Sequence, residues 1–197
     1  MAENRRVHLF AEDLAHERFL TAILERLASE IGCRIHVTTA NARGGHGRAL
    51  TELRTHQRAL LVGGGTPDLL VVAIDANCSS WKKVRNDVLQ IIDPATFPAH
   101  VLAVPDPHVE RWYLADPPAL VAVAEASVSS TRRKCDRDEY KQILVNALRA
   151  AGHPVSLGGA EFAAEIVAEM DFFRAGKNEP SLKHFIDELR GLMKSWR

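Results

Sequence analysis

The run DLLVVAID, residues 68–75, constrains the fold more than any other segment. It is apolar almost throughout. It has none of the alternating polarity of a strand with one wet face. A run of this kind reads as a central strand of a parallel sheet, covered by helices on both sides. It stops on Asp75, and Asn77 follows one residue later.

The flanking segments supply partners for that strand. RVHLFA (6–11), RIHVTTA (34–40) and AHVLAVP (99–105) are short, apolar and partly β-branched, as strands are. Between the first two, LAHERFLTAILERLASEIG (14–32) carries Leu14, Phe19, Leu20, Ile23, Leu24, Leu27 and Ile31 at helical spacing, with Gly32 as its stop. NARGGHG (41–47) is a turn, a helix follows over about 48–62 to the Gly63–Gly65 run, and 80–92 is a further helix. VERWYLAD (109–116) leads into or forms a helix. This order predicts an α/β fold: a mainly parallel central sheet of about four strands with helices on both faces. Beyond about 119 the pattern turns purely helical, over 117–127, 138–151, 160–175 and 181–195, with Ser181 as N-cap of the last. The expected division is an α/β domain over 1–120 and a helical C-terminal extension over 121–197 packed on it.

Charge narrows the function classes. The 25 basic residues balance 25 acidic ones, so any nucleic-acid surface has to be local. Arg43, Arg48, Arg54 and Arg58 with His46 make residues 43–58 such a patch, interrupted by Glu52 alone; Lys82, Lys83 and Arg85 form a second, and Arg132, Arg133 and Lys134 a third. Each also fits a solvated face. Cys33, Cys78 and Cys135 form no CxxC, which predicts neither a disulfide framework nor a thiolate zinc site and suits a reducing cytoplasm. No signal peptide and no 18-residue apolar span stand out, so no membrane association is expected. Gly63–Gly65 precedes a strand, without the Lys-Ser/Thr of a phosphate loop.

Ligands of parallel α/β sheets bind beyond the carboxyl ends of the strands. Glu12 and Asp13 follow the first strand, Asp75 the third, and Asp106 with Glu110 the fourth. Carboxylates crowded at one edge repel one another and call for a cation; oxygen ligands suit Mg²⁺ or Mn²⁺, which supports phosphodiester hydrolysis. A cap for Glu12 and an Asx turn for Asp75 and Asn77 are the structural alternatives.

VHLFAEDLAHERFL (7–20), IDAN (74–77) and VPDPHVERWYLADPPAL (104–120) together resemble the TOPRIM superfamily of topoisomerases, bacterial primases and small nucleases, over about residues 6–120. The third segment and GGHGR (44–48) are most similar to the small TOPRIM-like proteins of the DUF4276 group. In that pattern a glutamate follows strand one and Asp-x-Asp follows strand three. The resemblance implies Glu12, Asp75 and Asn77 as metal ligands for Mg²⁺ or Mn²⁺, with Glu12 and Asp75 catalytic. It implies nuclease activity on nucleic acid, DNA rather than RNA, and an ATPase partner in a phage-defence or mobile-element setting. A homodimer is left open. Asn77 stands where the family has an aspartate, Asp13 where it has a glycine, and His16 at a position commonly acidic. A degenerate, non-catalytic binding or regulatory domain is therefore the alternative.

Glu110 could supply the charge that Asn77 lacks, as a third catalytic acid, or could pair with an arginine such as Arg111. Arg43, Arg48, Arg54, Lys82 and Lys83 are the nucleic-acid-binding candidates. His46 or His108 could act as a base, and Trp112 as a core aromatic or a stacking platform. The chain has no room for a topoisomerase gate, and a receiver domain would need a paired acid and a switch Lys/Thr pattern that are not evident.

Overall fold

The computed structural model describes residues 4–42, 46–63, 65–125 and 137–196. Arg43 and the run Arg132–Lys134 fall outside that set, as does the His46 side chain. Four strands, β1 (Asn4–Ala11), β2 (Arg34–Asn41), β3 (Leu69–Ala73) and β4 (His100–Ala103), form one parallel sheet in the order β2-β1-β3-β4. The α/β class expected of the alternating pattern is what the chain adopts. β3 is buried along its whole length, which is why its sequence shows no alternation.

The sheet's two faces have separate cores. Val7, Leu9, Ala11, Val71 and Ala73 point to one side, where α1 (Leu14–Ile31) lies with the C-terminal helices. Phe10, Leu70, Val72 and Ile74 point to the other and meet α2 (His46–Val62) through Ala49 and Leu53, and α3 (Trp81–Leu89) through Val84 and Val88. Asp13 caps α1 by accepting from the His16 N–H at 3.1 Å, and Gly32 ends it at φ 77°, a conformation that suits glycine.

The remaining helices are α4 (Val109–Tyr113), α5 (Pro117–Ala124), α6 (Arg137–Ala150), α7 (Ala163–Glu169) after a 3₁₀ turn over Ala160–Phe162, α8 (Phe172–Asn178) and α9 (Pro180–Lys194). The single helix expected over 160–175 is thus broken. Asp171 accepts from the N–H groups of Phe173 at 2.8 Å and Arg174 at 2.9 Å and starts a new helix, while Arg26 of α1 donates to the carbonyls of Val167 and Met170. Ser181 does not cap α9. Glu179 takes the N-cap position and Pro180 the first helical one, where the missing proline N–H costs nothing. The Ser181 hydroxyl accepts instead from the Trp112 indole N–H at 3.0 Å. Trp112 is fully buried between Phe19 and Phe185, as a core aromatic; truncating such a residue to alanine costs about 3–5 kcal/mol. One continuous core runs from β1 and β3 through Trp112 to Tyr140 and Phe185, so the helices after 120 share the core of the sheet. Among the described residues no helix is long and apolar enough to cross a membrane. Cys78 is disulfide-bonded, which its sequence spacing did not suggest.

Candidate metal centre

Strand register assembles the site. Ala11 lies level with Ala73, and Ala73 with Ala103, so the residues just past β1, β3 and β4 reach the same edge of the sheet. β1 and β3 are adjacent although β2 lies between them in sequence: the chain turns one way from β1 to β2 and the other way to β3. Such a switch point opens a crevice at the carboxyl ends of the strands. Glu12 and Asp75 stand on its two sides. The loops are stitched together by backbone bonds from Glu12 N–H to Ala73 O (2.9 Å), Ala76 N–H to Pro105 O (2.8 Å) and Asn77 N–H to Pro107 O (2.9 Å). The Asp106–Pro107 peptide is cis.

Glu12 is 3% and Asp75 1% exposed. The Asp75 N–H donates to Glu12 Oε2 at 3.0 Å, so the two acids expected from the sequence do meet. The third vertex is His16, fully buried in the first turn of α1. Its Nε2 lies 2.9 Å from Asp75 Oδ1 and its Nδ1 2.8 Å from Asp13 Oδ1. Glu12, His16 and Asp75 each offer one ligand atom, all within 4.8 Å of one another. His108 completes the Asp75 environment, with Nδ1 3.1 Å from Oδ2.

Without an ion, both ring nitrogens of His16 face carboxylates, which only accept, so both donate and the ring is an imidazolium; an ion held by Nε2 would have to displace its proton. Burial opposes that charge. The adjacent Asp75 charge and the hydrogen bonds to Asp13 and Asp75 outweigh it and hold the His16 pKa well above its ordinary value. Burial likewise works to raise the Asp75 carboxyl, but the His16 charge and the hydrogen bonds from His108 and His16 prevail and hold it low. Glu110, in the first turn of α4, is 5% exposed, and its Oε2 has no hydrogen-bond partner among the described residues. Burial pushes its pKa up, and the nearby charges of Asp75 and Asp13 push the same way. It does not pair with Arg111, which binds Glu179 instead.

No family model, curated protein or solved structure matches the chain. The site has to be interpreted from its own chemistry.

Asn77 sits in the left-handed region at φ 51°, and its amide nitrogen donates back to the Asp75 carbonyl at 3.3 Å, a bond local to the turn. Lys82 and Lys83, exposed in the first turn of α3, stand at the same sheet edge, and Arg48 is exposed near the start of α2. Arg54 and Arg58 lie further along α2, which leads from the carboxyl end of β2 back towards the start of β3. At 1.5 Å per residue, Arg54 is about 9 Å along the axis from Arg48, so Arg54 and Arg58 lie away from the edge where the acids stand.

His16 is the residue that sequence reasoning missed as a ligand. The signal was an Asp-x-x-His at a helix start, which places both side chains on the first turn. Only the approach of Asp75, 59 residues away, gives it meaning.

Proposed function

We propose that the chain is a divalent-metal-dependent phosphodiesterase of the nuclease type, with Glu12, His16 and Asp75 holding the ion. The observation that carries this reading is the convergence of three buried donors at the switch point of a parallel sheet. Two carboxylates and an imidazole fit a first-row divalent ion. Imidazole shifts the preference from Mg²⁺ towards Mn²⁺, since Mg²⁺ favours oxygen ligands. Such an ion would supply Lewis-acid activation of a phosphodiester.

The chain's own groups supply the rest. Asp13 orients the His16 ring, and His108 holds the Asp75 carboxylate from its other oxygen. Glu110, with a raised pKa and an unengaged oxygen, carries a proton to or from a reacting oxygen. Lys82 and Lys83 attract the phosphate backbone. The TOPRIM resemblance supports nucleic acid, DNA before RNA, as substrate; the ATPase partner and the defence setting rest on that resemblance alone. The test is cleavage of plasmid and linear single-stranded DNA with Mn²⁺ or Mg²⁺. Activity should vanish in Glu12→Ala and Asp75→Ala, and activity that survives both would sink the assignment.

One observation favours a second reading. Both Asp75 oxygens are already engaged by His16 and His108, so Asp75 is charge-compensated without an ion. A non-catalytic nucleic-acid-binding or regulatory domain would need nothing more. Calorimetry separates the two, because that domain takes up no Mn²⁺.

A further inference from the structure

Beside the acidic site, a groove of about 560 Å³ runs between the starts of α3 and α9. Trp81 forms one wall, with Lys82 and Arg85; Pro180, Lys183 and His184 form the other. We propose that this groove is the binding track for single-stranded nucleic acid, with Trp81 as the platform for an unstacked base. The proposal deepens the nuclease reading and rests on it only for the purpose of the track.

Position is the first argument. Loop residues 76–80 alone separate Asp75 from Trp81, so α3 starts where the acidic crevice opens. The far wall is fixed to the same place: Glu179 and Ser181 at the start of α9 bind Arg111 and Trp112 of α4, the helix that carries Glu110. A strand lying in the groove therefore passes the acids.

Chemistry is the second. The Trp81 ring is partly exposed. It meets His184 at a centroid distance of 5.2 Å and a 45° tilt, and Lys82 Nζ stands 5.7 Å from the ring centroid. The other cations of the groove are internally spent: Arg85 on Glu188, and Lys183 on Asp187. Among the described residues, neither Lys82 nor its neighbour Lys83 has a carboxylate partner, so the net positive charge of the groove sits next to the aromatic ring. A planar aromatic surface beside unspent ammonium groups matches a base with its adjoining phosphates. Duplex DNA keeps its base faces stacked and cannot use the ring.

The experiment is an anisotropy titration of a fluorescein-labelled oligothymidylate of about 15 nucleotides, long enough for one such track, against the full chain in EDTA. Trp81→Ala should weaken binding about ten-fold, with Trp81→Phe retaining most of the affinity. Lys82→Ala should flatten the salt dependence, and a blunt duplex should bind more weakly than the single strand. Unchanged unfolding midpoints confirm that the variants are folded. Equal binding by wild type and Trp81→Ala, or no binding by either, overturns the track. Because the ion is chelated, a failure of the metal assignment leaves this result standing, and loss of the track leaves Mn²⁺ uptake standing.

Discussion

Asp75→Asn tests how the site balances its charge, because two pictures predict opposite signs. If Glu12 and Asp75 were two uncompensated anions, neutralising one would relieve repulsion and stabilise the metal-free protein. The geometry says otherwise. Asp75 is 1% exposed and accepts from two imidazoles, His16 at 2.9 Å and His108 at 3.1 Å. An asparagine has one accepting oxygen, so one of those buried N–H groups would face an amide N–H₂. His16 would also lose its closest counter-charge and keep only Asp13, which is one-third exposed. Removing one partner of a buried pair costs about 3–5 kcal/mol, and since asparagine retains one acceptor the expected loss is about 3 kcal/mol. For a chain of this length that lowers Tm by roughly 6–12 °C. The assay is urea and thermal unfolding of both proteins in EDTA at pH 6. A variant as stable as wild type, or more stable, refutes the charge-compensated site.

Three further outcomes are expected. His8 on β1 lies 2.6 Å from His56 of α2 and 2.7 Å from Thr38, and burial, with the nearby His56, lowers its pKa to about 4. The unfolded chain binds this proton more readily, so stability is full above the ordinary histidine pKa and falls by about 3 kcal/mol as pH drops from roughly 6.5 to 4; His8→Leu should flatten that part of a urea-midpoint profile. Glu110→Gln should retain Mn²⁺ uptake while cleavage drops about 100-fold or more, as for loss of a proton-transfer group; unchanged cleavage removes Glu110 from the chemistry. A chain ended at residue 120 should show no cooperative unfolding, because it exposes the Trp112 face that Phe185 and the helix bearing Tyr140 cover; a cooperatively folding fragment would contradict the shared core.

Most of the fold was legible because burial writes itself into local patterns. β3 is covered on both faces and its sequence is accordingly unbroken; α1 shows its stripe, and Gly32 its stop. The break at Met170–Asp171 was hidden because apolar spacing continues across it, and only the capping by Asp171 and the reach of Arg26 impose it. Glu12 and Asp75 could be paired from strand ends, since parallel register delivers them to one edge. His16 could not be, because its role depends on a contact across 59 residues that no periodicity encodes. Arg54 and Arg58 of α2 do share a face, being four residues apart, but that face borders residues 90–97, which lead into the amino end of β4, away from the acids.

The central claim is that Glu12, His16 and Asp75 form a site for a divalent ion. Titration calorimetry of Mn²⁺ into the metal-free protein tests it most directly. The account predicts one ion per chain, with binding lost in Asp75→Ala and strongly weakened in His16→Ala and Glu12→Ala. No uptake by the wild type, or uptake undiminished in Asp75→Ala, would contradict it.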